Sequence, residues 1–283
     1  MIGIIDVGGG LRDIYGAGVF DRLIDEGIKF DYCIGVSAGS ANIASYIAGQ
    51  KGRNYKFYTE YPSHKDYMSL QNIFKKGMYL DLHYVYGVLS NSGGLDPLDY
   101  EQMSRYDGQL RVVATNAYTG KAEYFDSDDL SKDNYIILEA SSCLPVICPP
   151  IKIGDGTYYD GGLSDPVPFE KAFSDGCDKV VIILTKPIEP LDKNKRDLVG
   201  AMVLDKKFPN FAKAMREHND KYNSAVEQAQ RLQAEGKALI ICPDDVLGVG
   251  TLTKDKEKLN ALYEKGYGDA EKIKDFICTK ATE

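Results

Sequence analysis

The chain has 283 residues, of which 43% are hydrophobic and 27% charged, and carries a formal net charge of −8. That length suits one large domain, or one domain with an extension, and is enough to bury a sizeable core. The acidic balance argues against a nucleic-acid partner and against broad electrostatic docking on anionic lipid.

Residues 2–7 form an apolar run without polar alternation, the pattern of a strand buried on both faces of a sheet. The start has no charged n-region, long apolar h-region or small-residue cleavage site, so no signal peptide is expected. No run reaches the roughly 18 consecutive apolar residues of a membrane span. A cytoplasmic protein is therefore expected. The six cysteines (Cys33, Cys143, Cys148, Cys177, Cys242 and Cys278) are scattered, mostly in apolar runs, and form no zinc-type spacing. They read as buried free thiols, and neither metal nor cofactor is expected.

Gly8-Gly9-Gly10 ends the first strand. A helix over 14–26 follows, closed by Gly27, then a strand over 30–35 and a small-residue helix over 38–48, closed by Gly49. This is the βαβα start of an α/β sandwich. Residues 51–110 are less regular and rich in tyrosine. Strands are expected over 110–116 and 122–125, a helix over 135–143, and a hairpin with strands 151–153 and 157–159 turning at Gly154-Asp155-Gly156. Another buried strand covers 179–185. The charged, proline-punctuated stretch 188–200 reads as a boundary loop. Phe211, Met215, Tyr222, Val226, Ala229 and Leu232 mark a helix over 211–232, a late strand covers 238–242, and helices over 255–265 and 269–277 close the chain.

Three pieces of this chain can do chemistry. Gly35-Val36-Ser37-Ala38-Gly39, between a strand and a helix, has the shape of a nucleophile elbow, where a sharp turn pushes the serine Oγ out at the sheet edge. Between the first strand and helix, Gly8, Gly9 and Gly10 present unobstructed amides at the positive end of a helix, a good place for a negative oxygen. A tight structural turn is the plainer reading, and a dinucleotide loop would need glycine where Asp13 stands. Arg12 could add to the loop's field, bind a substrate phosphate, or simply pair with Asp13 or another carboxylate.

Ser37 needs a base. His64, His83 and His218 lie in polar, tyrosine-rich and charged helical contexts and read as structural or exposed. Asp160, in Tyr158-Tyr159-Asp160-Gly161-Gly162, ends a hairpin strand beside two glycines that let another group approach. Asp155 is explained by its turn and Asp165 as a turn or cap residue. A carboxylate acting on an alcohol needs desolvation to become basic enough.

Together these pieces resemble the patatin-like phospholipase family, over roughly residues 2–185. The oxyanion loop stands as Gly8-Gly9-Gly10-Leu11-Arg12, the elbow as Gly35, Ser37 and Gly39, and the later motif as Asp160-Gly161-Gly162. Ala140-Ser141-Ser142-Cys143-Leu144-Pro145 through Pro149-Pro150 resembles the segment before the family's aspartate. The resemblance implies a three-layer α/β/α sandwich with a mainly parallel central sheet. It also implies Ser37 as nucleophile, Asp160 as general base, no metal, and hydrolysis of fatty-acyl esters of phospholipids or related lipids. The expected division is a catalytic core over 1–190 and an α-rich extension over 191–283, similar to that of bacterial members. The family has glycine after the arginine where this chain has Asp13; an Asp13–Arg12 pair would weaken the loop's field and favour a catalytically weak acyl-binding protein. Partners expected are a lipid or acyl ester and transient membrane contact, and the oligomeric state is left open. The stretch 55–95, with many tyrosines and Lys75-Lys76, reads as packing of an insertion or as an interfacial lid. The 211–232 helix, preceded by Lys206-Lys207-Phe208, reads as a cap or core cover.

Overall fold

The structure, a computed structural model, describes residues 1–192 and 195–278. Among these, the strands β1 (Ile2–Asp6), β2 (Tyr32–Val36), β3 (Gln109–Asn116), β4 (Ala122–Phe125), β5 (Ile151–Ile153), β6 (Gly156–Asp160), β7 (Lys179–Ile183) and β8 (Ala238–Ile241) form one sheet. Their order is β5-β6-β3-β2-β1-β7-β8, with β4 pairing β3. The α/β fold follows from buried strands alternating with helices. The sheet is mixed, which corrects the expectation of a mainly parallel one: β1–β2, β1–β7, β2–β3 and β7–β8 are parallel, while β3–β4, β3–β6 and β5–β6 are antiparallel. The β3–β4 and β5–β6 pairs follow from the tight turns at Gly120 (φ 68°) and Gly154 (φ 55°). So short a connection can join only antiparallel neighbours, whereas parallel pairs need crossover helices.

β3 organises the site. Val113 pairs with Val36 of β2 and with Tyr124 of β4, while Ala114 pairs with Asp160 of β6 and with Glu123 of β4. A strand has two edges. β4 holds one of them, so β2 and β6 take turns on the other, and β6 begins where β2 leaves.

Successive strand residues alternate between two apolar clusters, as the pleat requires. Ile4, Cys33, Val112, Val181 and Ile241 join one with Tyr15, Val19 and Phe20 of the helix Ile14–Asp25. Ile5, Ile34, Val113, Val180 and Ile240 join the other with Phe169, Tyr222 and Val226. The tyrosine-rich stretch folds into short helices, Arg53–Thr59, Leu70–Lys76 and Tyr100–Met103, and a π-helical turn, Tyr84–Leu89. Tyr58, Tyr61 and Tyr86 are buried there. Part of the stretch read as a boundary loop is helical, since Lys195–Leu204 is a helix whose apolar residues outweigh its charged first turn.

The C-terminal helix Lys256–Asp269 lies against Ile14–Asp25 with almost no gap. A Cβ on Gly266 would stand 2.0 Å from the Tyr15 carbonyl, and one on Gly18 2.1 Å from that of Tyr263. Tyr15 Oη donates to Asp269 (2.8 Å) and Tyr263 Oη to Asp21 (2.7 Å) across the same contact. Two substitutions in one helix should therefore have opposite signs. Gly266→Ala forces the helices apart and should cost about 2 kcal/mol or more. Gly268→Ala, with nothing within 4 Å of its added Cβ, should stabilise by about 0.5–1 kcal/mol through lost chain entropy. Urea unfolding of both variants checks this.

Candidate active site

Ser37 follows β2 and opens the helix Ala38–Ile47 with φ 56° and ψ −131°. A non-glycine residue held there costs about 1–3 kcal/mol, so its surroundings must impose the conformation. They do so through glycines. A Cβ on Gly35 would stand 2.4 Å from the Ser40 Cα, and one on Gly39 2.4 Å from the Asp6 carbonyl. Ser40 Oγ donates to the Ser37 carbonyl (2.6 Å). The Ser37 N–H donates to Ser141 Oγ (2.9 Å), which donates in turn to the Val113 carbonyl (2.6 Å). Sequence reasoning gave Ser141 no role, because a small serine in a helix carries no signal of its long-range partner.

Asp160 ends β6, 4% exposed. Its N–H donates to the Cys143 carbonyl (2.8 Å), its carbonyl accepts from Thr115 Oγ1 (2.7 Å), and its Oδ1 accepts the Gly162 N–H (2.9 Å). Gly161 is needed because a Cβ would stand 2.2 Å from the Val113 carbonyl. Burial raises the carboxyl to about 6, with Ser37 and Gly162 hydrogen bonding and the field of His218 pulling it down less strongly. Asp155 lies in the hairpin turn, and Asp165 accepts from Tyr124 Oη (2.6 Å).

Gly8, Gly9 and Gly10 have φ of 70°, 151° and 61°. The Gly8 N–H donates to Asp6 Oδ1 (3.1 Å) and the Leu11 N–H to the Thr251 carbonyl (2.9 Å). Both amides are thus committed inside the protein. Among the described residues, the N–H groups of Gly9, Gly10 and Ala38 have no acceptor. Thr185 Oγ1 donates to the Gly8 carbonyl (2.7 Å) and lies 3.5 Å from Arg12 Nε. Thr185 and Thr251 also went unnoticed in the sequence, since each reaches the loop from far along the chain.

Asp13 does not pair with Arg12. Its carboxyl is fully buried and neither oxygen has a hydrogen-bonding donor. It faces Asp6 instead. Both carboxyls crowd the bare face of Gly16, where an added Cβ would stand 2.5 Å from Asp13 Oδ1 and 2.7 Å from Asp6 Oδ2. Asn42 Nδ2 donates to Asp6 Oδ2 and to the Asp13 carbonyl, both at 3.1 Å, and Tyr58 Oη donates to Asn42 Oδ1 (2.9 Å). Burial and the Asp6 charge hold Asp13 well above the ordinary carboxyl range, against weaker opposing pulls from Arg12 and Tyr58. Burial raises Asp6 to about 6. Two carboxyls so placed oppose each other's ionisation. The Asp13–Arg12 pairing that favoured a weakened binding protein is therefore absent.

Ser37 stands between two spaces. A narrow pocket of about 80 Å³, walled by Leu11, Ala41, Met68, Leu82, Tyr86 and Leu138 among others, opens on one side. A cleft of about 770 Å³ opens on the other, shared by Ser37, Asp160, Arg12, Lys186, His218 and Tyr222. His64 and His83 line neither; His64 Nδ1 meets Tyr84 Oη (2.9 Å) and His83 lies 3.6 Å from Glu139. The sequence context of His218 predicts a structural or exposed role. It is half-buried in the cleft wall, with Asp197 3.8 Å from its Nδ1. Among the described residues no group of three or more His, Cys, Asp or Glu side chains is arranged to hold a metal, and no helix is long and apolar enough to cross a membrane.

The acid pair has a consequence for stability. Asp13 holds its proton far more tightly in the folded than in the unfolded chain, so its contribution is lost as pH rises above the unfolded pKa of about 4. Asp13→Asn removes that cost and leaves an amide able to donate to Asp6. At pH 8 it should raise unfolding free energy by about 1–3 kcal/mol, and the gain should vanish near pH 4. Urea titrations at the two pH values measure this.

A family model described as patatin-like phospholipase matches residues 7–173, and one described as a domain of unknown function, DUF6363, matches residues 208–277. The uncharacterized protein YjjU of Escherichia coli K12 is 26% identical over 199 residues, which are 66% of this chain and 52% of YjjU. The chain thus spans about half the length of that curated relative. The crystal structure of VipD from Legionella pneumophila superposes with a TM-score of 0.47 at 15% identity, covering 96% of this chain and 66% of VipD. With the family match extending from the glycine loop through the elbow and past Asp160, over more than half its length, the chain belongs to the patatin-like phospholipase family, a family of lipid hydrolases.

Proposed function

We propose that the protein is a serine acyl hydrolase that cleaves fatty-acyl esters of phospholipids or related lipids through a Ser37–Asp160 dyad. The observation that carries the reading is the register of β3, on which β6 delivers Asp160 beside the point where β2 delivers Ser37. Asp160 takes the proton from Ser37 Oγ as the oxygen attacks the ester carbonyl. The oxyanion is held by the uncommitted N–H groups of Gly9, Gly10 and Ala38, with Arg12 adding positive field. As the tetrahedral intermediate collapses, the C–O bond to the alcohol breaks and Asp160 returns the proton to the leaving oxygen. Water then attacks the acyl-enzyme, Asp160 accepts its proton, and fatty acid leaves as Ser37 Oγ is reprotonated. Burial supports the base role, since raising Asp160 to about 6 brings it nearer the alcohol it must deprotonate.

The apolar pocket suits the acyl chain. Catalytic core and extension divide near residue 190 in this reading, with 191–283 as the extension. For membrane-borne substrate we propose transient contact through the cleft mouth. Val146 (61% exposed) and Val199 (60%) line the cleft there, and Met202 and Val203 are exposed farther along the helix that carries Val199.

A fluorophosphonate should label Ser37 and no other residue. Ser37→Ala should lower ester kcat by about 10⁴-fold or more. Asp160→Asn should do so comparably while raising the melting temperature at pH 8, since a buried charge is removed. His218→Gln should cost less than about tenfold; a loss as large as that of Ser37→Ala would replace the dyad with a triad. Because Asp160 must be ionised, kcat/KM should fall as pH drops below about 6. Steady-state assays on nitrophenyl esters between pH 4 and 9 test this, and an acid limb that Asp160 does not control would overturn the assignment.

A further inference from the structure

The cleft side of Ser37 carries two cations, Arg12 and Lys186, in a wall that also holds the carboxyls of Asp160, Asp192 and Asp197. Arg12 and Lys186 are both half-buried and both line the cleft. Among the described residues neither makes an ion pair. Arg12 Nε leans on the Thr185 hydroxyl, while Lys186 Nζ lies over the Tyr222 ring, 4.8 Å from its centroid. Tyr222 comes from the helix Pro209–Ala234, within the stretch matched by the domain of unknown function.

Two like charges held together and partly out of water are costly unless an anion joins them. The cost is visible at Lys186, which burial and then the charge of Arg12 lower to about 8, with only partial relief from Asp197. Asp197 shares the wall but faces His218 Nδ1, 3.8 Å away. Arg12 alone would be an ordinary neighbour of the glycine loop. Lys186 is different, because it follows β7 and is steadied by an aromatic ring from the C-terminal unit. The narrower pocket on the opposite side of Ser37 is mainly apolar, with Asn42, Arg53 and Asn54 also in its wall, and the larger cleft takes the alcohol half of the ester in this reading.

We infer that Arg12, Lys186 and Tyr222 form a subsite for a phosphate group on the alcohol side of the scissile ester. A phosphate fits because it offers several oxygens and more than one negative charge to two converging cations. The C-terminal unit thereby contributes to substrate choice. This inference rests on the hydrolase reading for the position of the ester.

The test uses a matched pair of soluble esters, hexanoyl glycerol 3-phosphate and hexanoyl glycerol, with the wild type, Lys186→Met and Lys186→Arg. The wild type should prefer the phosphate ester in kcat/KM by about tenfold or more, the size of one charge-assisted hydrogen bond. Lys186→Met should remove most of that ratio and Lys186→Arg should retain it, which also guards against simple loss of fold. Equal rates on both esters in the wild type, or a ratio that survives Lys186→Met, would sink the subsite and leave the hydrolase reading standing. If the wild type cleaves neither ester, the hydrolase reading falls, and calorimetry with glycerol 3-phosphate then decides the subsite alone. Binding weakened by Lys186→Met supports it, and absence of binding overturns it. Inorganic phosphate in the same titration separates a headgroup site from a free-anion site. An affinity equal to or tighter than that for glycerol 3-phosphate would overturn the headgroup assignment.

Discussion

The site depends on how one strand divides its edge. β3 gives residues 109–113 to β2 and residues 114–116 to β6, with β4 along its other side. The handover is possible only because β2 stops at Val36, where the backbone turns through the Ser37 elbow and leaves the next hydrogen-bonding positions of β3 open. β6 fills them from the opposite direction. Asp160 therefore arrives beside Ser37 through backbone hydrogen bonding, before any side-chain interaction between them is considered. A one-residue slip of β6 would turn Asp160 to the other face of the sheet.

Both residues are then clamped by the same short segment. Ser141 Oγ takes the Ser37 N–H and the Cys143 carbonyl takes that of Asp160. The strain at Ser37 is offset by these bonds and by glycines at 35 and 39 that let neighbouring backbone approach. Buried polar groups are stabilising only when satisfied, and nearly all of those around the elbow are. The exceptions carry meaning. The N–H groups of Gly9, Gly10 and Ala38 are left without an acceptor among the described residues, and the unbonded oxygens of Asp13 belong to a carboxyl whose burial favours its protonated form.

That buried acid resolves the departure at position 13. A carboxylate beside Arg12 would drain the field of the loop. Instead the Asp13 side chain turns inward onto Asp6, Gly16 and Asn42, and the arginine keeps its charge for the cleft. The same packing ties the loop to the core, because Asp6 also holds the Gly8 N–H. Loop geometry and the buried contact between the two carboxyls are thus part of one packing arrangement.

Short-range chemistry was legible in the residues themselves. Gly8–Gly10, the Gly35–Gly39 elbow and Asp160-Gly161-Gly162 can be found without a structure, because backbone conformations that exclude side chains leave glycine as their record. The buried strands were legible through unbroken apolar runs, and the helices through their spacing and glycine stops. What the residues could not record is which groups far apart in the chain would meet. The mixed pairing of the sheet, the packing of Asn42 on Asp6 and Asp13, Ser141 behind Ser37, and Lys186 resting on Tyr222 all depend on contacts across tens of residues or more. No local pattern specifies such contacts. By itself the sequence determined the family, the α/β class and the residues available for chemistry. Only the tertiary structure decided which amides stay free, which carboxyl stays protonated and which cations share the cleft, because each depends on burial and partners that exist only after the chain has packed.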